Sequence, residues 1–271
     1  MRSSTSTSNE RTIASTQDVR TLFLAWQDPD ERSWYTVGRL DQKNGTYVFR
    51  YTQGAEEAMG QGFNPIVSFP DLRRTYESDE IFPLFANQVL SRNRPEFDDF
   101  VEWLSIPKDE ADPIAILART GDQVTDTLEI FPYPTKLSEH TYVVHFFVRG
   151  LRHQSSCAIE RVQQLEPGDP LRLMPDLQNE HDEDACMLRT AEREKQAKHL
   201  MGYLPRYLAR EMAKLSREQV ARSNVEVVRV NPSPAPIHFR ILCRLKMHWE
   251  TDLEPFSSRV YQPIIGNQSE E

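Results

Sequence analysis

The chain has 271 residues, 38% of them hydrophobic and 27% charged, with a formal net charge of −9. That length holds one large domain or two ordinary ones, and the composition is that of a soluble globular protein on the polar side. No apolar run approaches the ~20 residues of a membrane-crossing helix, and the Ser/Thr-rich start from Met1 to Ser15 has no apolar centre for a secretory signal.

Residues 1–18 read as a disordered tail. Thr21 to Trp26 is then a short apolar run of strand type. Trp34 to Leu40 and Thr46 to Tyr51 mix aromatic and β-branched residues on either side of Lys43-Asn44-Gly45, and Asn-Gly at such a place predicts a tight hairpin. Ile66 to Pro70 reads as a further strand. Phe82, Phe85, Val89 and Leu90 recur at helical spacing, as do Phe97, Phe100, Val101 and Leu104. Ser78-Asp79-Glu80 ahead of the first puts acidic residues where they complement a helix dipole.

From about Leu22 to Pro132 this pattern resembles the small N-terminal β-subdomain of HipA-type proteins. The matching runs are Val37 to Tyr51, Val67 to Leu72, Tyr76 to Leu90 and Asp112 to Pro132. In that family the subdomain sits on a kinase body and helps control it, and a stand-alone relative, HipS, can act as an antitoxin. The resemblance implies a protein-binding role for residues 19–136. Kinase activity is not carried over, because the chain has no Gly-rich phosphate loop, no H-x-D catalytic loop and no D-F-G. The same residues read equally as a small β-domain packed on its neighbour.

Thr141 to Val148 is strongly strand-like and leads into Gly150-Leu151-Arg152-His153. Gln164 to Asp169 is a turn, and Pro170 to Met174 resumes a strand. Asn179 to Ala185 follows as an acidic loop, then the run Met201-Gly202-Tyr203-Leu204-Pro205. Pro205 to Arg222 reads as one helix, with Pro205 in its first turn. Leu208, Met212 and Leu215 form its apolar stripe, and Arg206, Arg210, Lys214 and Arg217 a basic face. Val225 to Val230 and Ile237 to Met247 are strands joined by a stiff Pro-rich connection that cannot lie inside a sheet. From Trp249 on there is no regular period, and Phe256, Tyr261 and Ile264-Ile265 could cover the preceding domain or dock on a partner.

That order of elements resembles a HIRAN domain over about residues 137–248, leaving 249–271 as an extension. The resemblance implies a small OB-like β-barrel with one or two helices that recognises single-stranded DNA or 3′ DNA ends. Arg152, His153, Asn179, His181 and Asp182 match positions that contact terminal nucleotides in end-binding relatives. Tyr203, at the strand-to-helix junction, and Arg206 and Arg210, on the basic face, complete the expected DNA-binding set. The chemistry is coherent. A carboxylate such as Asp182 can accept the proton of a 3′-hydroxyl, an aromatic face can stack the last base, and Arg152 or Arg206 can neutralise the adjacent phosphate. The chain departs from the family pattern at His153, where an aromatic is usual, and at Glu180-His181, where Pro-Tyr is usual. Imidazole can still stack on a base and hydrogen-bond to phosphate. Asp182 also reads as a loop residue holding its own turn, and the basic face as a solvated one paired with Glu211 and Glu218.

The negative charge is uneven. Up to residue 140 there are 14 basic and 23 acidic residues, against 14 and 13 from 141 to 230. Residues 186–222 carry nine basic and four acidic residues. A nucleic-acid site needs a local basic surface more than a basic total, so the acidic half is expected to face away from DNA or toward a protein.

No Walker-type loop, G-x-S-x-G or H-E-x-x-H is found, and no kinase or nuclease arrangement. His181, Asp182, Asp184 and Cys186 lack the C-x-x-C or second His pair that would complete a metal site, so neither metal nor cofactor is expected. Cys157, Cys186 and Cys243 are odd in number and far apart, which argues against a disulfide framework and for a reducing cytoplasm. The expectation is therefore a mainly β (α+β) protein of two small domains. It would be non-catalytic and cytoplasmic, away from membranes, binding DNA through the second domain and a protein through the first, in DNA repair, phage defence or a toxin–antitoxin system. The alternative is an antitoxin-like scaffold subunit that controls a partner enzyme without recognising DNA ends.

Overall fold

The first strand explains the architecture. β1 (Arg20–Gln27) is buried at every position from Thr21 onward, so it is covered on both faces. Phe23 and Ala25 point into one core, and Leu22, Leu24 and Trp26 into another, the period-two alternation of a strand. A strand with two covered faces reads as a continuous apolar run, which is what Thr21 to Trp26 is. The computed structural model describes residues 20–121, 123–125, 127–191, 198–250 and 254–264. The tail expected over 1–18 lies outside them.

After β1 come β2 (Trp34–Lys43), β3 (Thr46–Tyr51), α1 (Gln53–Met59), β4 (Tyr76–Ser78), α2 (Pro83–Ala86), α3 (Phe97–Trp103), α4 (Pro113–Thr120), β5 (Gln123–Thr125) and β6 (Leu128–Pro132). The strands pair antiparallel in the order β4-β3-β2-β1-β6-β5. The β2–β3 hairpin is the one that Asn-Gly predicts: Asn44 and Gly45 both have positive φ, 52° and 87°. Ile66 to Pro70, however, is not a strand. The Tyr51 hydroxyl accepts the Ile66 N–H at 2.7 Å and donates to the Phe69 carbonyl at 2.7 Å. This pins the segment as a turn with Phe69 buried and Val67 exposed, and the prolines at 65 and 70 withhold ladder donors on both sides. The helical spacing from Phe82 to Leu90 likewise yields only the single turn α2. α4 is properly bounded: the Asp112 carboxylate accepts the Ala115 N–H at 3.0 Å, Pro113 opens the helix and Gly121 closes it at φ 51°.

The second sheet is built from β7 (Thr135–Ser138), β8 (Thr141–Phe147), β9 (Pro170–Pro175), β10 (Cys186–Thr190), β11 (Leu200–Tyr203), β12 (Asn224–Val230) and β13 (Ile241–His248). Between its strands lie α5 (Ser156–Val162), α6 (Arg206–Ala213) and α7 (Arg217–Arg222). Its order is β11-β10-β9-β12-β13-β8-β7, all antiparallel. Among the described residues no closed barrel is formed. The sheet curls until Arg149, just past β8, meets Tyr203 at the end of β11 in one bridge, with N–H···O distances of 2.9 and 2.8 Å. Gly202 makes that approach possible, since a Cβ there would lie 2.2 Å from the Arg149 carbonyl oxygen.

Two further expectations are corrected. Pro205 to Arg222 is not one helix, because α6 ends at Ala213 and Ser216, in an extended conformation, caps a second. The Ser216 hydroxyl accepts the Gln219 N–H at 3.3 Å while the Gln219 side chain accepts the Ser216 N–H at 2.9 Å. The last strand begins at Ile241, not Ile237, because Ile237–Phe239 forms a 3-10 turn.

Phe23, Ala25 and Phe131 of the first sheet share a core with Tyr142, Phe146, Leu188, Leu208 and Leu245 of the second part. Val101, Leu104 and Ile116 share another with Phe147 and Leu242. The segment 254–264 packs on both sheets. Phe256 and Tyr261 lie with ring centroids 5.9 and 5.2 Å from Phe23, and the Ile264 N–H donates to the Tyr51 carbonyl at 2.9 Å. Among the described residues no helix is long and apolar enough to cross a membrane.

Candidate functional site

The loop between β9 and β10 is held by its own side chains. The Asn179 side-chain oxygen accepts the N–H groups of His181 and Asp182, each at 3.0 Å, and its amide donates to Asp176 at 3.1 Å. One Asp182 oxygen accepts the Asp184 N–H at 3.2 Å, and the other the Arg206 Nε–H at 2.9 Å. Both oxygens of the expected hydroxyl acceptor are thus engaged within the protein, one of them holding its own turn. Asp176 also accepts the Tyr203 hydroxyl at 3.2 Å, which ties the loop to β11. Burial, then the Asp176 bond, raise the Tyr203 hydroxyl above its ordinary pKa.

Arg206 and Arg210 reach this loop because they lie four residues apart on α6 and so share one helix face. The Arg206 guanidinium sits over the Trp34 ring, 5.8 Å from its centroid, and Arg210 donates to the Trp34 carbonyl at 3.4 Å. Between the loop, α6 and the start of β2 opens a cavity of about 490 Å³, lined by Asn179, His181, Asp182, Arg206 and Arg210 together with residues of the first sheet. The sequence reading missed the residues from that sheet, Trp34 and Tyr35 foremost. Their alternation signalled a strand, but no local signal says that the first residues of β2 face a loop some 150 positions later. Tyr207, also missed, lines the floor, stacked on Phe131 with centroids 4.6 Å apart.

The expected set is therefore split. Five of its residues line the cavity, and Tyr203 joins them through Asp176. Arg152 and His153 lie outside the lining, exposed on a 3-10 turn, with Arg152 Nε donating to His153 Nε2 at 2.9 Å. That turn follows Gly150, at which a Cβ would stand 3.3 Å from the Tyr203 ring, so it adjoins Tyr203.

The lining is acidic. Glu31, Glu129, Glu180, Asp182, Glu183 and Asp184 outnumber Arg32, Arg206 and Arg210. Burial raises the Asp184 carboxyl above the usual range, against the pull of nearby Arg210. Such a cavity favours neutral or cationic groups and repels a phosphate held inside it. It also offers hydrogen-bond acceptors beside aromatic surface. Among the described residues no group of three or more His, Cys, Asp or Glu side chains is placed to hold a metal ion. Cys186 is buried, with its thiol pushed up to about 11.

No curated protein and no solved structure matches the chain. No family match covers residues 19–136, so the resemblance to the HipA subdomain stands without support. A family model does match the second part, over residues 141–250, and it is the HIRAN domain, generally a DNA-binding module for single-stranded DNA or 3′ ends. Strands β8 to β13 of the second sheet, the Asp176–Asp184 loop and α6 fall within that span, with β7 just ahead of it, and residues 141–250 of this chain are a HIRAN domain.

Proposed function

We propose that this chain binds the end of single-stranded DNA and has no catalytic role of its own. The observation that carries the reading is that five of the eight residues expected from the HIRAN resemblance line one cavity. The terminal nucleoside enters it, while Arg206 and Arg210 meet backbone phosphate. The acidic lining gives the reading its direction. A terminal sugar with a free hydroxyl is neutral and can donate to a carboxylate, whereas a terminal phosphate would meet like charge. Away from this cavity, the first half, with 23 acidic against 14 basic residues up to residue 140, is poorly suited to phosphate and serves protein contact.

One observation favours the second reading, a scaffold subunit without end recognition: Asp182 already uses both oxygens inside the protein. Fluorescence anisotropy of the full chain decides between them. The substrates are short labelled oligonucleotides with a 3′-hydroxyl, the same strands with a 3′-phosphate, and a blunt duplex, at low salt. The DNA-end reading requires tightest binding to the 3′-hydroxyl strand. Equal, weak binding to all three favours the scaffold.

A further inference from the structure

We infer that the first sheet builds one wall of the nucleotide site, with Trp34 as the surface on which the terminal base stacks. The inference rests on the DNA reading above. It assigns a binding role to residues far outside the matched span of 141–250.

Trp34 is half-buried and opens onto the cavity, so it has ring surface left to offer. The Arg206 guanidinium takes its place over the same ring, 5.8 Å from the centroid. The order Asp182–Arg206–Trp34 therefore runs from the β9–β10 loop, through α6, to the first sheet. An aromatic ring beside an arginine is the combination that holds single-stranded bases without reading their sequence. A cavity of about 490 Å³ lies in the size range, ~300–1,000 Å³, of sites that enclose one small organic group.

The wall is also preformed. The turn from β1 to β2 is organised by Asp28, only 3% exposed, whose carboxylate accepts the Asp30 N–H at 2.9 Å and the Glu31 N–H at 3.4 Å. The Arg32 N–H donates to the Asp28 carbonyl at 3.0 Å, and the Gln27 side chain to the Arg32 carbonyl at 3.0 Å. Arg32 is held in the left-handed region at φ 62°, an uncommon conformation for a side-chain-bearing residue. Such a turn fixes the backbone that carries Glu31, Arg32 and Trp34, which lowers the ordering cost of binding.

The test uses the full chain and a short single-stranded oligonucleotide carrying 5-iodouracil at its 3′-terminal position. Irradiation and peptide mapping should place the crosslink at Trp34 or within residues 31–35. Iodouracil at an internal position should give little of that product. In anisotropy titrations Trp34→Ala should weaken binding about tenfold or more, while Trp34→Phe, which keeps an aromatic face, should stay within about threefold. Failure of the wild type to bind any oligonucleotide overturns the DNA reading itself. A wild type that binds, yet crosslinks only elsewhere, overturns this inference alone, as does undiminished binding by a folded Trp34→Ala. Should Trp34→Ala unfold, the wild-type crosslink still decides.

Discussion

Tyr261 donates its hydroxyl to Glu211 at 3.0 Å, across 50 residues of sequence, where the carboxylate is only 1% exposed. The same carboxylate accepts the Phe256 N–H at 2.9 Å and pairs with Lys214. A buried acid on α6 thus holds the C-terminal segment across the shared core. Glu211→Ala leaves a buried hydroxyl and a buried N–H without acceptors, at ~1–3 kcal/mol each. It should lower thermal stability clearly more than Tyr261→Phe, which removes one bond worth ~1 kcal/mol. Hydrogen exchange should show residues 254–264 losing protection in the first variant. Equal melting of the two would mean that the carboxylate does not organise the segment.

His145 sets an acid limit on stability. On β8 it lies opposite Arg244 and near Arg119, and burial, then these guanidiniums, pull its imidazole down to about 3. In the unfolded chain the group titrates near 6.5. Between those values the unfolded state binds the proton and the folded state does not, so stability falls as pH drops from 6.5 toward 3. By pH 5 the loss from this group is at most about 2 kcal/mol. His145→Gln should flatten that limb of the stability–pH curve in denaturant titrations, and an unchanged slope would count against the buried neutral imidazole.

Asp182 bridges loop and helix. Asp182→Ala should free the Arg206 guanidinium and loosen residues 176–184. Discrimination between a 3′-hydroxyl and a 3′-phosphate should shrink, with a stability loss of about 1–3 kcal/mol. Affinity for the two oligonucleotides has to be measured beside thermal unfolding. Full discrimination in the variant would take the terminal hydroxyl away from Asp182.

Arg210 is exposed and outside the ion pair that engages Arg206. Arg210→Glu should weaken all single-stranded substrates by a similar factor. It should also flatten the dependence of affinity on salt by about one ion, since phosphate contacts release counterions without reading sequence. A loss confined to 3′-hydroxyl strands would make Arg210 a reader of the terminus.

Where the sequence was legible, the cause was local. Asn44-Gly45 specifies its turn, Pro113 and Gly121 bound their helix, and the loop from Asp176 to Asp184 resembles a family pattern from which it departs at Glu180-His181. Misreadings arose where distant groups decide. Tyr51 turns Ile66–Phe69 away from a strand. The split at Ser216 is the exception, since its capping box with Gln219 is local and was legible as S-x-x-Q. Arg149 meets Tyr203 at one bridge in place of a full barrel seam. The cavity wall at Trp34 was beyond sequence reading for the same reason, since its meaning depends on how two sheets pack.

β1, covered on both faces, makes portability the final issue. A span recognised by its sequence family is usually treated as a cassette that can be cut out and grafted. Here the cut at residue 141 would strip Phe23, Ala25 and Phe131 from the core that contains Phe146 and Leu245. The excised span should be prone to aggregation, and the intact chain should melt in one calorimetric transition, not two. Any lineage or laboratory that moves this module must carry a substitute for that partition strand with it.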